Sequence, residues 1–214
     1  AAAVRAKGVR IYERSRVREK IKGEPAILKT LTGQVRADHV ILACNAHLEG
    51  LEKRIRGHIM GINSYALTTE ALDPELAKKL FPNLTAILDN DKRFRSFKLT
   101  QDHRLIFTSG HNRGELLENA EKLVRPELKR FLPELKETKI THHWGGSMAL
   151  SKDLMPHIGR LKPNLLFAQG YSGQGIALAI KTGKALADCI NGDIKVFDQL
   201  ASLRVGKFPG GPLF

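Results

Sequence analysis

The chain has 214 residues, of which 42% are hydrophobic and 27% charged, and its 35 Lys or Arg against 22 Asp or Glu give a formal net charge of +13. That composition suits a globular chain able to bury a core as one large domain or two small ones. No apolar run approaches the roughly 18 residues needed to cross a bilayer, and no charged start followed by an apolar stretch and a small-residue cleavage site marks export, so a cytoplasmic location is expected.

The charge is unevenly placed. Residues 1–36 hold ten Lys or Arg against three acids. The stretch "RIYERSRVREKIKG" alternates apolar and charged positions and lacks the interleaved aromatics that stack bases, so it reads as a solvated strand face and no nucleic-acid partner is expected. Cys44 and Cys189 match no metal or redox spacing and read as reduced, buried small hydrophobes. No metal site is expected.

In chain order, "AAAVRAKG" reads as the last turns of a helix stopped at Gly8, followed by a strand from Val9 to Tyr12. Such a start suggests the C-terminal part of something longer. Short strands are then predicted in "RVREKI", "AILKTL" and "QVRADHVILAC", with turns at Lys22–Pro25 and Thr32–Gly33. The unbroken run Val40–Ala43 suits a strand buried on both faces. From residue 58 to 140 the pattern changes to "INSYALTTEAL", then "FRSFKLT" and "RLIFTS" joined at Gln101–His103, then an amphipathic helix from about Glu115 to Phe131 interrupted by Pro126. From Ile140 the buried style returns in "THHWGGSMAL" and in "LLFAQG". Val40–Ala43 and Leu165–Ala168 are expected to share one sheet, with 58–140 inserted between them as an antiparallel sheet packed by a helix.

The strand ending at Gln169 runs through Gly170, Gly173 and Gly175 into a helix predicted from about Gln174 to Asn191. Free backbone N–H groups and the positive end of the helix dipole meet there, and the missing Cβ atoms let a flat, electron-rich ligand approach the main chain. The loop lacks the Lys-Ser/Thr of a phosphate-binding P-loop. A tight strand-to-helix turn explains the bare pattern equally well.

The run "WGGSMALSKDLMPHIGRLKPNLLFAQGYSGQGIALAIKTGKALADCINGD" resembles the C-terminal segment of the FAD-dependent amine oxidases related to glycine oxidase, sarcosine oxidase and D-amino acid oxidase. "GQVRADHVILACNAH" is similar to a second strand of that family, and "FPGG" at 208–211 looks most like its γ-glutamylputrescine oxidase branch. The resemblance implies an α/β (mixed α+β) fold: a partial, Rossmann-like FAD-binding domain from 1–57 and 141–193, an inserted antiparallel-sheet substrate domain from 58–140, and a C-terminal tail from 194–214. It implies FAD as cofactor and a small-molecule amine as substrate, with the electron acceptor left open. It places Val17 against the adenine, Ala43, Cys44 and Asn45 along the FAD, and Tyr171, Ser172, Gly173, Gln174, Gly175, Ile176 and Ala177 at the pyrimidine side of the flavin. The family's first strand–GxGxxG–helix unit does not occur in these residues, so weak FAD binding by this stretch alone, and self-association through the flank it would cover, are expected.

Amino-acid-oxidising relatives carry substrate-carboxylate arginines where this chain has Met148 and Gly173. That departure points to a larger amine, such as a γ-glutamyl amine, with Phe97 and Met148 as candidate pocket walls. Trp144 is expected beside the flavin in a structural role. His142 and His143, adjacent on a strand, face opposite ways and are poorly set for joint metal binding. His157 reads as structural, and His103 and His111 as exposed. The rival functions are a flavin-less remnant and a basic nucleic-acid or anionic-surface binder.

Overall fold

The computed structural model describes residues 2–21, 23–90 and 95–209. A short helix α1 (Ala2–Ala6) ends at Gly8, whose φ of 79° is open to glycine, and β1 (Glu19–Ile21), β2 (Ala26–Lys29) and β3 (Gln34–Ala37) form an antiparallel meander. The strand expected from Val9 to Tyr12 does not form. Those residues are exposed, and no strand among the described residues pairs with them to take up their backbone groups.

β4 (Val40–Leu42) is followed by a 3₁₀ turn at Asn45–Leu48 and by α2 (Lys53–Arg56). The long strand β5 (Ile59–Ala71) leads to α3 (Pro74–Leu80), where Asp73 Oδ1 accepts from the N–H of Glu75 and Leu76 at 3.0 and 3.1 Å and Pro74 occupies the first turn. β6 (Ile87–Leu88), β7 (Ser96–Leu99) and β8 (Arg104–Asn112) follow, then α4 (Ala120–Phe131), β9 (Ile140–Ser151), β10 (His157–Lys162), β11 (Leu165–Gln169), α5 (Gly175–Ile190) and α6 (Lys195–Ala201). Phe94, which opens the predicted strand "FRSFKLT", Lys22 of the first predicted turn, and Gly210 and Gly211 of "FPGG" lie outside the described residues.

Two further sheets organise the chain. β11 pairs antiparallel with β10 and parallel with β4, in the register Leu165↔Val40, Leu166↔Ile41 and Phe167↔Leu42. All five β11 residues are buried, as a central parallel strand requires. One face of this sheet packs Leu165, Phe167, Val40 and Leu42 against Ala26 and Ile55, and the other packs Leu166, Ala168 and Ile158 beneath Leu186 and Cys189 of α5 and Phe197 of α6. Residues 194–209 of the expected tail are more than a tail, because α6 buries Phe197 and the Phe208 N–H donates to Gly57 O at 3.0 Å.

The other sheet runs β6-β7-β8-β5-β9 and is antiparallel throughout. α4 covers one face, burying Ala120, Val124 and Leu128 at successive i+4 positions over Tyr65, Leu67, Leu105 and Phe107. Pro126 sits inside this helix without ending it. The helix starts at Ala120 rather than near Glu115, because Leu117 N–H donates to Tyr65 Oη (3.0 Å) and Glu115 O accepts from Asn112 Nδ2 (3.1 Å), which holds that stretch as a loop.

The boundary expected at 140/141 needs correction. β9 pairs with β5 from Ile59↔Ser151 to Thr69↔Ile140, so residues 141–151 belong to the five-stranded sheet, and the chain leaves it only after Ser151. β9 is an edge strand with mixed burial, and membership of a sheet is set by its hydrogen-bonding neighbour.

His157 is held against His58 with ring centroids 4.3 Å apart and edge-on to Phe167 at 4.7 Å, consistent with a structural role. Burial, and then the neighbouring His58 charge, push its pKa down to about 4. The unfolded imidazole titrates near 6.5, so the unfolded chain binds more protons between these values and stability falls as pH drops from about 6.5 to about 4. The expected loss, discounted for partial exposure, is about 1–2 kcal/mol. Urea midpoints measured across that range check it, and His157→Gln should flatten the profile. His103 and His111, expected to be exposed, are half-buried, and burial lowers the His111 pKa.

Candidate functional site

The parallel pairing of β4 and β11 brings two chain segments out at the same end of one sheet, the position where open α/β sheets bind ligands. β4 runs into Ala43, which is exposed, and then into half-buried Cys44 and Asn45. Asn45 adopts a φ of 48°, and its Oδ1 accepts from Gly170 N–H at 2.9 Å, tying the two strand ends together. Asparagine is among the few residues that tolerate this backbone region. Burial raises the Cys44 thiol pKa, so it remains a neutral, small wall atom.

Beside the β4 end lies an open cavity of about 830 Å³, lined by Val17, Leu28, Val40, Leu42, Cys44 and Leu51. The expected adenine-side residue Val17 and the strand-end residue Cys44 thus share one groove. Arg16 and Glu49 also line it and pair with each other.

Beyond Gln169 the loop turns at Gly170 (φ +70°), Ser172 (φ 52°) and Gly173 (φ +91°) and enters α5. A Cβ on Gly170 would lie 3.1 Å from Ile59 Cγ2, whereas one on Gly173 would meet nothing within 4 Å. Gly173, Gln174, Ile176 and Ala177 are exposed, Ile176 to 92%, and Tyr171 and Gly175 are half-buried. No side chain among the described residues caps α5, which leaves the N–H groups of its first turn for a ligand or solvent. Ser172 behaves differently from its neighbours. It is 5% exposed, its N–H donates to Ala149 O at 3.1 Å, and its Oγ accepts from Ser151 N–H at 3.1 Å. Its hydroxyl fastens the loop to the edge of β9 and does not join the exposed row.

Met148 precedes Ala149 on that same edge strand. It is half-buried and pairs with Ile62, on the sheet face away from α4. Trp144 shares this face through its pairing with Ala66 and is 48% exposed. Phe97 does not join them. It pairs with Phe107 on the α4 side, is 7% exposed, stacks on Phe107 at 4.7 Å and meets Phe131 edge-on at 6.2 Å, so it is a core residue. His142 and His143 pair with Thr68 and Leu67 and so face opposite ways, as alternation requires.

One residue missed by the sequence reading enters this face from a loop. Arg113 follows β8, and its guanidinium touches the Met60 sulfur, beside Ile62 and Met148. Only the fold brings residue 113 over residue 60.

Residues 1–189 match the family described as "FAD dependent oxidoreductase", DAO. The chain belongs to that family. It is 36% identical over 213 residues to gamma-glutamylputrescine oxidoreductase of Escherichia coli, covering 99% of this chain and 50% of the relative. It is 30% identical over 209 residues to the probable oxidoreductase OrdL of Haemophilus influenzae, covering 95% and 48%. The chain thus spans about half the length of the curated relatives it matches. Glycine oxidase from Bacillus cereus superposes with a TM-score of 0.75 at 20% identity, covering 97% of this chain and 58% of that one, a likeness of fold.

The FAD family assignment can be tested on the geometry. An uncapped helix N terminus behind an open glycine, joined through Asn45 to a groove with apolar walls and the charged side chains of Arg16, Arg18 and Glu49 on its lining, suits a flavin edge and the nucleotide running from it. The residues fit the DAO family cofactor. No helix among the described residues is long and apolar enough to cross a membrane.

Proposed function

We propose that this chain forms part of an FAD-dependent enzyme that oxidises the C–N bond of an amine, with γ-glutamylated or unmodified polyamines as the substrate class. The observation that carries the reading is the uncapped α5 terminus and glycine loop, laced through Ser172 to β9 one residue from Met148. When bound, FAD supplies an acceptor for the hydride that leaves the carbon next to the amine nitrogen.

The chain's own residues bind and position. Asn45 fixes the crevice, and the first-turn N–H groups of α5 favour negative charge at the ligand edge beside them. Met148, Ile62 and Trp144 provide an apolar wall that excludes water from the reacting carbon. In this reading residues 58–151 carry the substrate face, and 1–57 with 152–209 carry the cofactor face. The 36% identity to a gamma-glutamylputrescine oxidoreductase supports the substrate class.

Anaerobic bleaching of the flavin in the complete protein tests it. Polyamines and their γ-glutamyl derivatives should reduce the flavin faster than glycine, sarcosine or D-alanine. Equal rates with glycine would overturn the substrate class, and a protein that never retains flavin would favour a non-catalytic remnant.

A further inference from the structure

We propose that Gly146 and Ser64 form the slot that receives the amine end of the substrate and restricts it to amines whose reacting carbon is unbranched. The inference rests on the amine-oxidising function proposed above and narrows its substrate class.

The apolar wall of the substrate face is interrupted at one row. Gly146 of β9 pairs with Ser64 of β5, which pairs in turn with His111 of β8, so the row crosses three strands. Trp144 stands beside Ala66 in the row before it, and Met148 beside Ile62 in the row after. Paired residues share a face, as do residues two apart on a strand, so position 146 looks out between Trp144 and Met148. Those two residues are about 13 Å apart at strand rise. A Cβ built on Gly146 would meet nothing within 4 Å, which leaves the place of one side chain open. Gly145 is a different case, because its Cβ would lie 2.6 Å from Tyr65 Cδ1 and close packing requires the glycine. At 146 neither packing nor a positive φ requires one. Glycine weakens a strand, and one without a packing or conformational reason marks a place where a ligand comes close to the backbone.

The floor of the gap is polar. Ser64 is half-buried, and its hydroxyl has no hydrogen-bond partner among the described residues. Its oxygen can accept from an amine N–H and leave the nitrogen lone pair free, as loss of a hydride from the adjacent carbon requires. Other polar groups of this face stand farther off. His142 pairs with Thr68 and Arg113 touches Met60, each four residues along the strands from the row, or about 13 Å. The gap also adjoins the cofactor side: Gly146 is three residues, about 10 Å, from Ala149, whose carbonyl accepts from Ser172 N–H. A slot one side chain wide admits a CH2–NH2 end. A methyl or carboxylate on the same carbon would meet Trp144 or Met148, and these apolar flanks disfavour a carboxylate charge as well.

The test uses the complete, flavin-loaded protein with three amines: putrescine, γ-glutamylputrescine, and 2,5-diaminohexane, which is putrescine with a methyl on each reacting carbon. Wild type should favour the two unbranched amines over the third by at least about 10-fold in kcat/KM. Gly146→Ala should lower kcat/KM for the unbranched amines by about 10-fold and Gly146→Val by about 100-fold, with flavin content and unfolding midpoint near wild type. Ser64→Ala should lower it by about 3- to 10-fold. Binding of putrescine to the reduced protein, in which no turnover occurs, should weaken in the same order when measured by anaerobic titration calorimetry. Either Gly146 variant, folded and flavin-loaded, with kcat/KM within about twofold of wild type overturns the slot and leaves the amine reading standing. Loss of flavin from both Gly146 variants also overturns it, because the gap would then seat the cofactor. A wild type that oxidises 2,5-diaminohexane as well as putrescine overturns the restriction to unbranched carbons. A wild-type flavin reduced by none of the three amines sinks the underlying reading and this inference with it.

Discussion

Replacing Glu52 with glutamine is expected to destabilise the fold by about 3–5 kcal/mol, because it leaves a buried lysine without its counter-charge. The side chains of Lys20 and Glu52 are each only 8% exposed and meet at 2.5 Å, while Arg54 closes on the same carboxylate through Nε and Nη2 at 2.9 and 3.0 Å. Glu52 also accepts from the Arg54 N–H at 3.2 Å and so caps α2. These contacts, the Arg54 hydrogen bonds foremost, hold the Glu52 pKa down to about 2. A carboxylate whose folded pKa lies below its unfolded value, near 4.3, stabilises fully above that value. The contribution of about 3 kcal/mol is lost as pH falls from roughly 4.5 towards 2. Guanidinium midpoints of wild type and Glu52→Gln should therefore lie far apart at pH 7 and converge near pH 2. This window lies below that of His157, so the two effects separate on one pH axis. A difference under about 1 kcal/mol at neutral pH would show that the pair is effectively solvated. The double change Lys20→Met with Glu52→Leu should recover much of the loss.

Gly145→Ala is expected to cost about 3 kcal/mol, against less than about 0.5 kcal/mol for Gly146→Ala. A Cβ on Gly145 would lie 2.6 and 2.7 Å from Cδ1 and Cε1 of Tyr65 and 3.0 Å from Leu116 Cδ1, whereas one on Gly146 would meet nothing within 4 Å. Tyr65 is fully buried and has no room to withdraw, and moving its ring breaks the hydroxyl's bonds to Asn112 and to Leu117 N–H. The penalty thus combines overpacking with buried polar groups left unpaired. Thermal or denaturant unfolding of the two variants decides it. Similar stabilities would mean that the loop from Asn112 to Leu117 yields easily.

Much of the β4–β11 crevice and the helix behind it was legible in the residues because its signals are local. "LLFAQ" is an unbroken apolar run, the glycines after it punctuate a turn, and the helix behind them repeats its apolar positions at helical spacing. The pairing of Val40–Leu42 with Leu165–Gln169, more than a hundred residues apart, followed from both runs needing burial on two faces. The cap at Asp73-Pro74 is likewise written in adjacent residues.

What only the tertiary structure decided is which face and which neighbour each strand took. "THHWGGSMALS" carries no sign of its sheet, and β5 recruited it by hydrogen bonding along its whole length. Phe97 and Met148, both apolar strand residues, were separated onto opposite faces by registers set in other strands, and a one-residue slip would exchange them. Ser172 turned inward because β9 offered it Ala149 O and Ser151 N–H. Arg113 acquired its place from Tyr65 and Asn63, some fifty residues earlier in the chain. Local sequence specifies backbone preference and the need for burial. The partner that satisfies each need is chosen by long-range hydrogen bonds and packing, which no single stretch of the sequence contains.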